Sequence, residues 1–174
     1  GISVVGGATA KVLSKAHKIY SYDKYKYPYN SKKNLETLAK NSEATFICVP
    51  TPMKKSGAID YSAIYNSVDE LLKTTNEVKR NPEENLVIIK STVVSGITDL
   101  LAEKYPFDFA FNPEFLREKH ALEDMENTDR VIIGAENEKN IQKLLSIYKP
   151  IFPNAKYVIT DRKTAEMIKY AANV

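Results

Sequence analysis

The chain has 174 residues, and 25 Lys and Arg against 22 Asp and Glu leave a net charge of +3. That length suits one domain, its 43% apolar and 27% charged residues describe an ordinary globular composition, and no apolar run is long enough to span a bilayer. One Cys excludes an internal disulfide, two His beside it argue against a zinc site, and the small positive balance argues against nucleic-acid binding. No basic-then-apolar leader opens the sequence.

Short β-branched runs alternate with amphipathic stretches of helical length, the pattern of βαβ units and a parallel sheet. Strands are expected at residues 2–5, 18–22, 44–49, 86–90, 107–111, 130–133 and 155–159. Helices are expected at 35–40, 61–80, 97–105, 138–148 and 163–174, the last without a stop signal. In the longest, Ile64, Val68, Leu71 and Leu72 form one apolar face, with Asp60 as its N-cap. The run at 44–49 is apolar on both alternating faces, as a central strand covered on both sides requires. The expected fold is α/β: a Rossmann-like, doubly wound, mainly parallel sheet with helices on both faces. Ligands of such sheets bind beyond the strand C-termini. The turns at 50–57, 91–96 and 112–119 are therefore the chemically interesting ones.

A dinucleotide signal opens the chain. Ile2-Ser3-Val4-Val5-Gly6-Gly7 reads as a first strand entering a glycine turn, and Asp23, after a second strand, stands where a carboxylate would bind the adenosine ribose. From Gly6 to Asp23 is only 17 residues, and G-x-G-x-x-G is incomplete. Insertion of about five residues of pattern x-G-x-x-G between Gly6 and Gly7 would restore motif and spacing. An intact mass matching 174 residues would contradict a turn missing from this sequence.

Later motifs are more specific. Phe46-Ile47-Cys48-Val49-Pro50-Thr51-Pro52 is followed by Ser91-Thr92-Val93-Val94-Ser95-Gly96-Ile97-Thr98-Asp99. Next come Asn112-Pro113-Glu114-Phe115-Leu116-Arg117-Glu118, Asp129-Arg130-Val131-Ile132-Ile133-Gly134 and Ala165-Glu166-Met167-Ile168-Lys169-Tyr170-Ala171-Ala172-Asn173. In this order they resemble the N-terminal NAD-binding domain of the UDP-glucose/GDP-mannose dehydrogenase family, the second motif departing from S-T-V-P-P-G-T-T-D at three positions. The resemblance implies a Rossmann domain over 1–162, residues 163–174 beginning the helix that leads to a second domain. It also implies a cytoplasmic enzyme, homodimeric when full length, that oxidises the C6 alcohol of a nucleotide sugar, UDP-glucose foremost, to a carboxylate with two NAD. A family cysteine in G-x-C-x-P-K-D captures the intermediate aldehyde as a thioester precursor; it should lie beyond Val174, so the span alone should be inactive. A truncated or degenerate nucleotide-binding module is the alternative.

By the same resemblance Gly6, Gly7, Asp23, Pro50, Thr51 and Thr92 contact NAD. Thr92 also positions the water or proton acceptor, Glu118 serves thioester hydrolysis with Glu114 nearby, and Lys169 and Asn173 face the sugar oxyanion. Pro113 opening a helical turn would put Glu114 and Glu118 on one face, and Lys169 and Asn173 are likewise four apart. Cys48, in an apolar strand, is expected to be buried and structural.

Overall fold

The computed structural model describes residues 1–172. Its sheet has five strands in chain order: β1 (Ala44–Ile47), β2 (Leu86–Ile89), β3 (Asp108–Phe111), β4 (Arg130–Gly134) and β5 (Lys156–Thr160). β1, β2 and β3 are mutually parallel, as are β4 and β5; the two sets meet in a single antiparallel pair, Phe111 with Gly134. Seven α-helices accompany it among the described residues: α1 (Val4–Leu13), α2 (Lys32–Asn41), α3 (Ser62–Glu77), α4 (Ile97–Lys104), α5 (Ala121–Glu126), α6 (Glu138–Tyr148) and α7 (Arg162–Ala172).

Strand alternation sorts side chains into two cores. Val87, Ile89, Phe109, Phe111 and Ile132 pack with Leu38, Ala39, Ile64, Val68, Leu101 and Ala165, so one face carries α2, α3, α4 and α7. Leu86, Ile88, Ala110, Val131 and Ile133 pack with Ala8, Val12, Met125, Leu144 and Tyr148, so the other carries α1, α5 and α6. Ile88 and Ile89, adjacent in β2, are fully buried on opposite faces, each side chain contributing about 1.5–3 kcal/mol. This is the doubly wound arrangement expected from the apolar runs.

Two expected strands are absent. Residues 2–5 do not form one: α1 begins at Val4, and the Gly7 amide donates to the Ser3 carbonyl at 2.8 Å across Gly6. The chain is thus continuous helix where the extra turn was expected. Residues 18–22 run extended without a ladder, although Ile19 faces one core and Tyr20 and Tyr22 the other. The N-cap of α3 is Tyr61, with Asp60 bonding the Ser62 amide instead at 2.9 Å. α5 was not expected at all.

Candidate active site

Because β1, β2 and β3 are parallel, the turns after them converge on one rim. A cleft of about 820 Å³ lies there, lined by Gly1, Ser3, Asp23, Pro50, Thr51, Cys48, Lys90, Thr92 and Glu114 among others. Ser91 joins the first two turns: its hydroxyl accepts from the Val49 amide (2.9 Å) and donates to the Val49 carbonyl (2.7 Å). Thr51 adds a bond from its hydroxyl to the Thr92 carbonyl at 2.7 Å. Pro50, Thr51 and Thr92 therefore form one framework.

The cleft's other end is the start of α1. A Cβ on Gly1 would lie 2.5 Å from the Cys48 carbonyl, and one on Gly6 only 1.8 Å from the Gly1 carbonyl and 3.3 Å from Cys48 Cβ. Both positions need glycine for close approach. The missed reading is Gly1-x-Ser3-x-x-Gly6, a fingerprint with serine at its second glycine, opening a helix and standing 22 residues before Asp23. The turn is upstream of the Gly6-Gly7 pair, and the signal was the position of Gly1. Gly6 supplies the helix packing that the third fingerprint glycine provides, and Gly7 lies inside the first turns of α1.

Asp23 accepts from the amides of Ile2 (2.7 Å), Tyr25 (3.0 Å) and Lys26 (3.1 Å). Partial burial pushes its carboxyl up, but these amides prevail and hold it below the ordinary value. It is thus an oriented anion at the edge of the cleft.

The third turn corrects another expectation. Residues 112–117 are not helical, so Pro113 opens no helix and the two glutamates part company. Glu114 points into the cleft; Glu118 is exposed in a 3₁₀ turn (Glu118–His120). What Glu114 meets is Lys169: its ammonium donates to the Glu114 carbonyl (2.6 Å) and carboxylate (3.1 Å) and lies 5.4 Å from the Phe115 ring centroid. Both side chains are largely buried, 5% and 12% exposed. β5 runs against β3, so α7, returning from it, brings Lys169 to the shared rim. Asn173 lies outside the described residues. Cys48 is buried, as expected, just past the end of β1, and burial pushes its thiol up.

Lys90 was not singled out from sequence. It is 3% exposed at the cleft floor, donating to Asn112 Oδ1 at 2.8 Å and, more weakly, to the Tyr148 hydroxyl at 3.4 Å. Burial lowers its ammonium to about 8. Its position after the apolar run 86–89 was the available clue: a lysine ending a strand covered on both faces has little water to reach.

Comparison with known proteins decides what this rim belongs to. The model of the UDP-glucose/GDP-mannose dehydrogenase family, NAD binding domain, matches residues 22–152. The chain belongs to that family. UDP-glucose 6-dehydrogenase of Rickettsia bellii is 44% identical over 140 residues, 77% of this chain and 31% of that protein. The UDP-glucose dehydrogenase structure from Pyrobaculum islandicum is 35% identical, with a TM-score of 0.69 over 80% of this chain and 33% of that one. GDP-mannose dehydrogenase from Pseudomonas aeruginosa shares the fold, at TM-score 0.74 over 99% of this chain and 48% of that one, with 23% identity. The chain spans about a third of the length of the curated UDP-glucose 6-dehydrogenases it matches. The family's cofactor is consistent with this geometry: Gly1 and Gly6 let the start of α1 approach Cys48 closely, and Asp23 places a carboxylate at the edge of the same cleft. No helix among the described residues is long and apolar enough to cross a membrane.

Proposed function

We propose that this chain is the NAD-binding portion of a nucleotide-sugar 6-dehydrogenase, oxidising the C6 alcohol of UDP-glucose to the carboxylate with two NAD per sugar. The observation that carries the reading is the buried Lys169–Glu114 pair at the rim that also holds Thr92. Bound NAD supplies the hydride acceptor. In this reading the amides around Ser3 and Gly6 hold the pyrophosphate, Asp23 the ribose, and the Pro50, Thr51 and Thr92 framework the far end of the cofactor. Gly7 takes part only through α1.

Lys169 carries a cation in a site with little water, where it stabilises charge developing on the sugar oxygen. Glu114 holds that ammonium in place, and Thr92 orients the hydroxyl or a water beside it. Glu118 and Asn173 are retained on the resemblance alone, Glu118 for hydrolysis and Asn173 beside Lys169. A cytoplasmic homodimer belongs to the same proposal.

Two measurements test it. Titration should show NAD binding more tightly than NADP, because Asp23 repels a 2′-phosphate; tighter NADP would refute that role. The 174-residue span alone should form no sugar carboxylate from UDP-glucose, UDP-N-acetylmannosamine or GDP-mannose, since Cys48 is buried and the thiolate that the second oxidation needs must come from elsewhere. Joined to a domain bearing the G-x-C-x-P-K-D cysteine, it should yield two NADH per sugar. There Lys169→Ala should slow turnover roughly 10²–10³-fold with NAD affinity nearly intact. Vigorous activity of the span alone, lost in Cys48→Ser, would overturn the scheme.

A further inference from the structure

Glu166 is fully buried in α7, and among the described residues no Lys or Arg lies within ion-pair reach of it. Its carboxylate instead accepts three hydrogen bonds from the start of α4. The Gly96 amide reaches one oxygen at 2.5 Å; the Thr98 amide (2.8 Å) and hydroxyl (2.6 Å) reach the other. The helix it serves has no cap of its own. Gly96, at the N-cap with φ of 101°, offers no side chain, and no local group bonds the first amides. A carboxylate from a helix distant in sequence therefore satisfies donors that α4 leaves orphaned, and the positive end of the α4 dipole balances its charge.

The two ends of this contact are the two halves of the rim. Gly96 closes the 91–96 turn that carries Thr92. Glu166 is three residues before Lys169, on the same face of α7, and Lys169 is the residue pinned to Glu114. Other α7 contacts lie at its first turn: the Ser95 hydroxyl donates weakly to the Lys163 carbonyl at 3.3 Å, Arg162 bonds Asp99 at 2.6 Å, and Asp161 caps α7 through the Thr164 amide (2.8 Å) and hydroxyl (2.6 Å).

We infer that Glu166 is a positioning residue that welds the Thr92 turn to the helix bearing Lys169, so that both are held at one fixed separation across the rim. That Thr92 and Lys169 then act on a sugar rests on the proposed function; the weld itself does not. Glu166→Gln replaces one accepting oxygen with an NH₂ facing an amide donor, so the contact opens and Lys169 loses its register with Glu114.

The test is the rate at which Lys169 is acetylated in the folded chain, followed by mass spectrometry, beside Tm and amide exchange at Thr98. In the parent, Lys169 should be strongly protected. Glu166→Gln should raise its labelling roughly tenfold and speed Thr98 exchange, the expected result of losing a charge-assisted bond. Thr98→Val, which keeps the amides and drops one bond, should give a smaller rise of roughly threefold and serves if Glu166→Gln does not fold. Asp161→Ala, which removes the cap of α7 without touching α4, should lower Tm while leaving Lys169 protected. If Glu166→Gln or Thr98→Val lowers Tm with Lys169 as protected as in the parent, Glu166 is only a stabilising contact and the inference fails. The readout needs no substrate, so it can fail while the dehydrogenase reading stands, and the reverse.

Discussion

Lys90 shows what burial does to one ammonium. Its partners are neutral oxygens of Asn112 and Tyr148, and Cys48, Glu114 and Lys169 are the titratable groups whose fields reach it. Burial puts its folded pKa at about 8, below the roughly 10.4 of an unfolded lysine. Between those values the unfolded chain binds more protons, so the Lys90 contribution to stability rises with pH across that window. Cys48 opposes it, since a thiol pushed up by burial favours folding less once the unfolded thiol ionises. The comparison that isolates Lys90 is with Lys90→Met, which leaves the Tyr148–Asn112 bond of 2.5 Å intact. Denaturant titrations at pH 7 and pH 10 should show the parent gaining on the variant by about 1–3 kcal/mol. A difference that stays flat over that range would mean the ammonium reaches water.

At the scale of elements, α7 is seated by the absence of a side chain. A Cβ on Gly134 would come within 2.5 Å of Ala165 Cβ, 3.1 Å of Arg162 Cα and 3.2 Å of the Asp161 carbonyl. Gly134→Ala should therefore push α7 off β4, costing about 1–3 kcal/mol and lowering Tm by about 2–4 °C per kcal/mol. Adding Ala165→Gly should restore part of that, because it removes the nearer obstacle but leaves the backbone ones. A Tm unchanged in Gly134→Ala would show that helix and strand are not in close contact. The same scale explains what the sequence disclosed. β1, β2, β3 and β4 were legible because apolar residues on both alternating faces admit few other structures. Val4 and Val5 were misread because β-branched residues favour strands by local propensity, whereas their place three and four residues after Gly1 makes them the first turn of α1. The separation of Glu114 from Glu118 was not legible: Pro113 is compatible with helix or extended chain, and the carboxylate's bond to the Leu116 amide (2.6 Å), with Lys169 arriving from 55 residues away, fixes the extended form.

Over the whole molecule, the sheet has an open side where strand pairing remains possible. The Glu43 and Ile47 carbonyls bond β2, so the alternating Ala44, Phe46 and Cys48 backbone groups face the other way, and β1 is the last strand in that direction. Facing them across a groove of about 420 Å³ are residues 18–22, which point Ile19 and Tyr20 to opposite cores as a strand does yet pair with nothing. Gly1 and Thr9 line the same groove, and among the described residues the buried Thr9 hydroxyl has no partner. Residues 18–22 and the β1 edge are held apart by this groove, which accounts for the absent ladder at 18–22. A designed segment of about five β-branched residues fused ahead of Gly1 should enter this groove, because each apolar side chain buried there contributes about 1.5–3 kcal/mol against about 1–2 kcal/mol to order its backbone. Tm should rise by several degrees, the Phe46 amide should become protected from exchange, and 18–22 should join the sheet. A fused Gly/Ser segment of equal length should do none of these. If the β-branched fusion leaves Tm and Phe46 exchange where they were, the open edge is not a strand site, and the unpaired run at 18–22 needs another cause.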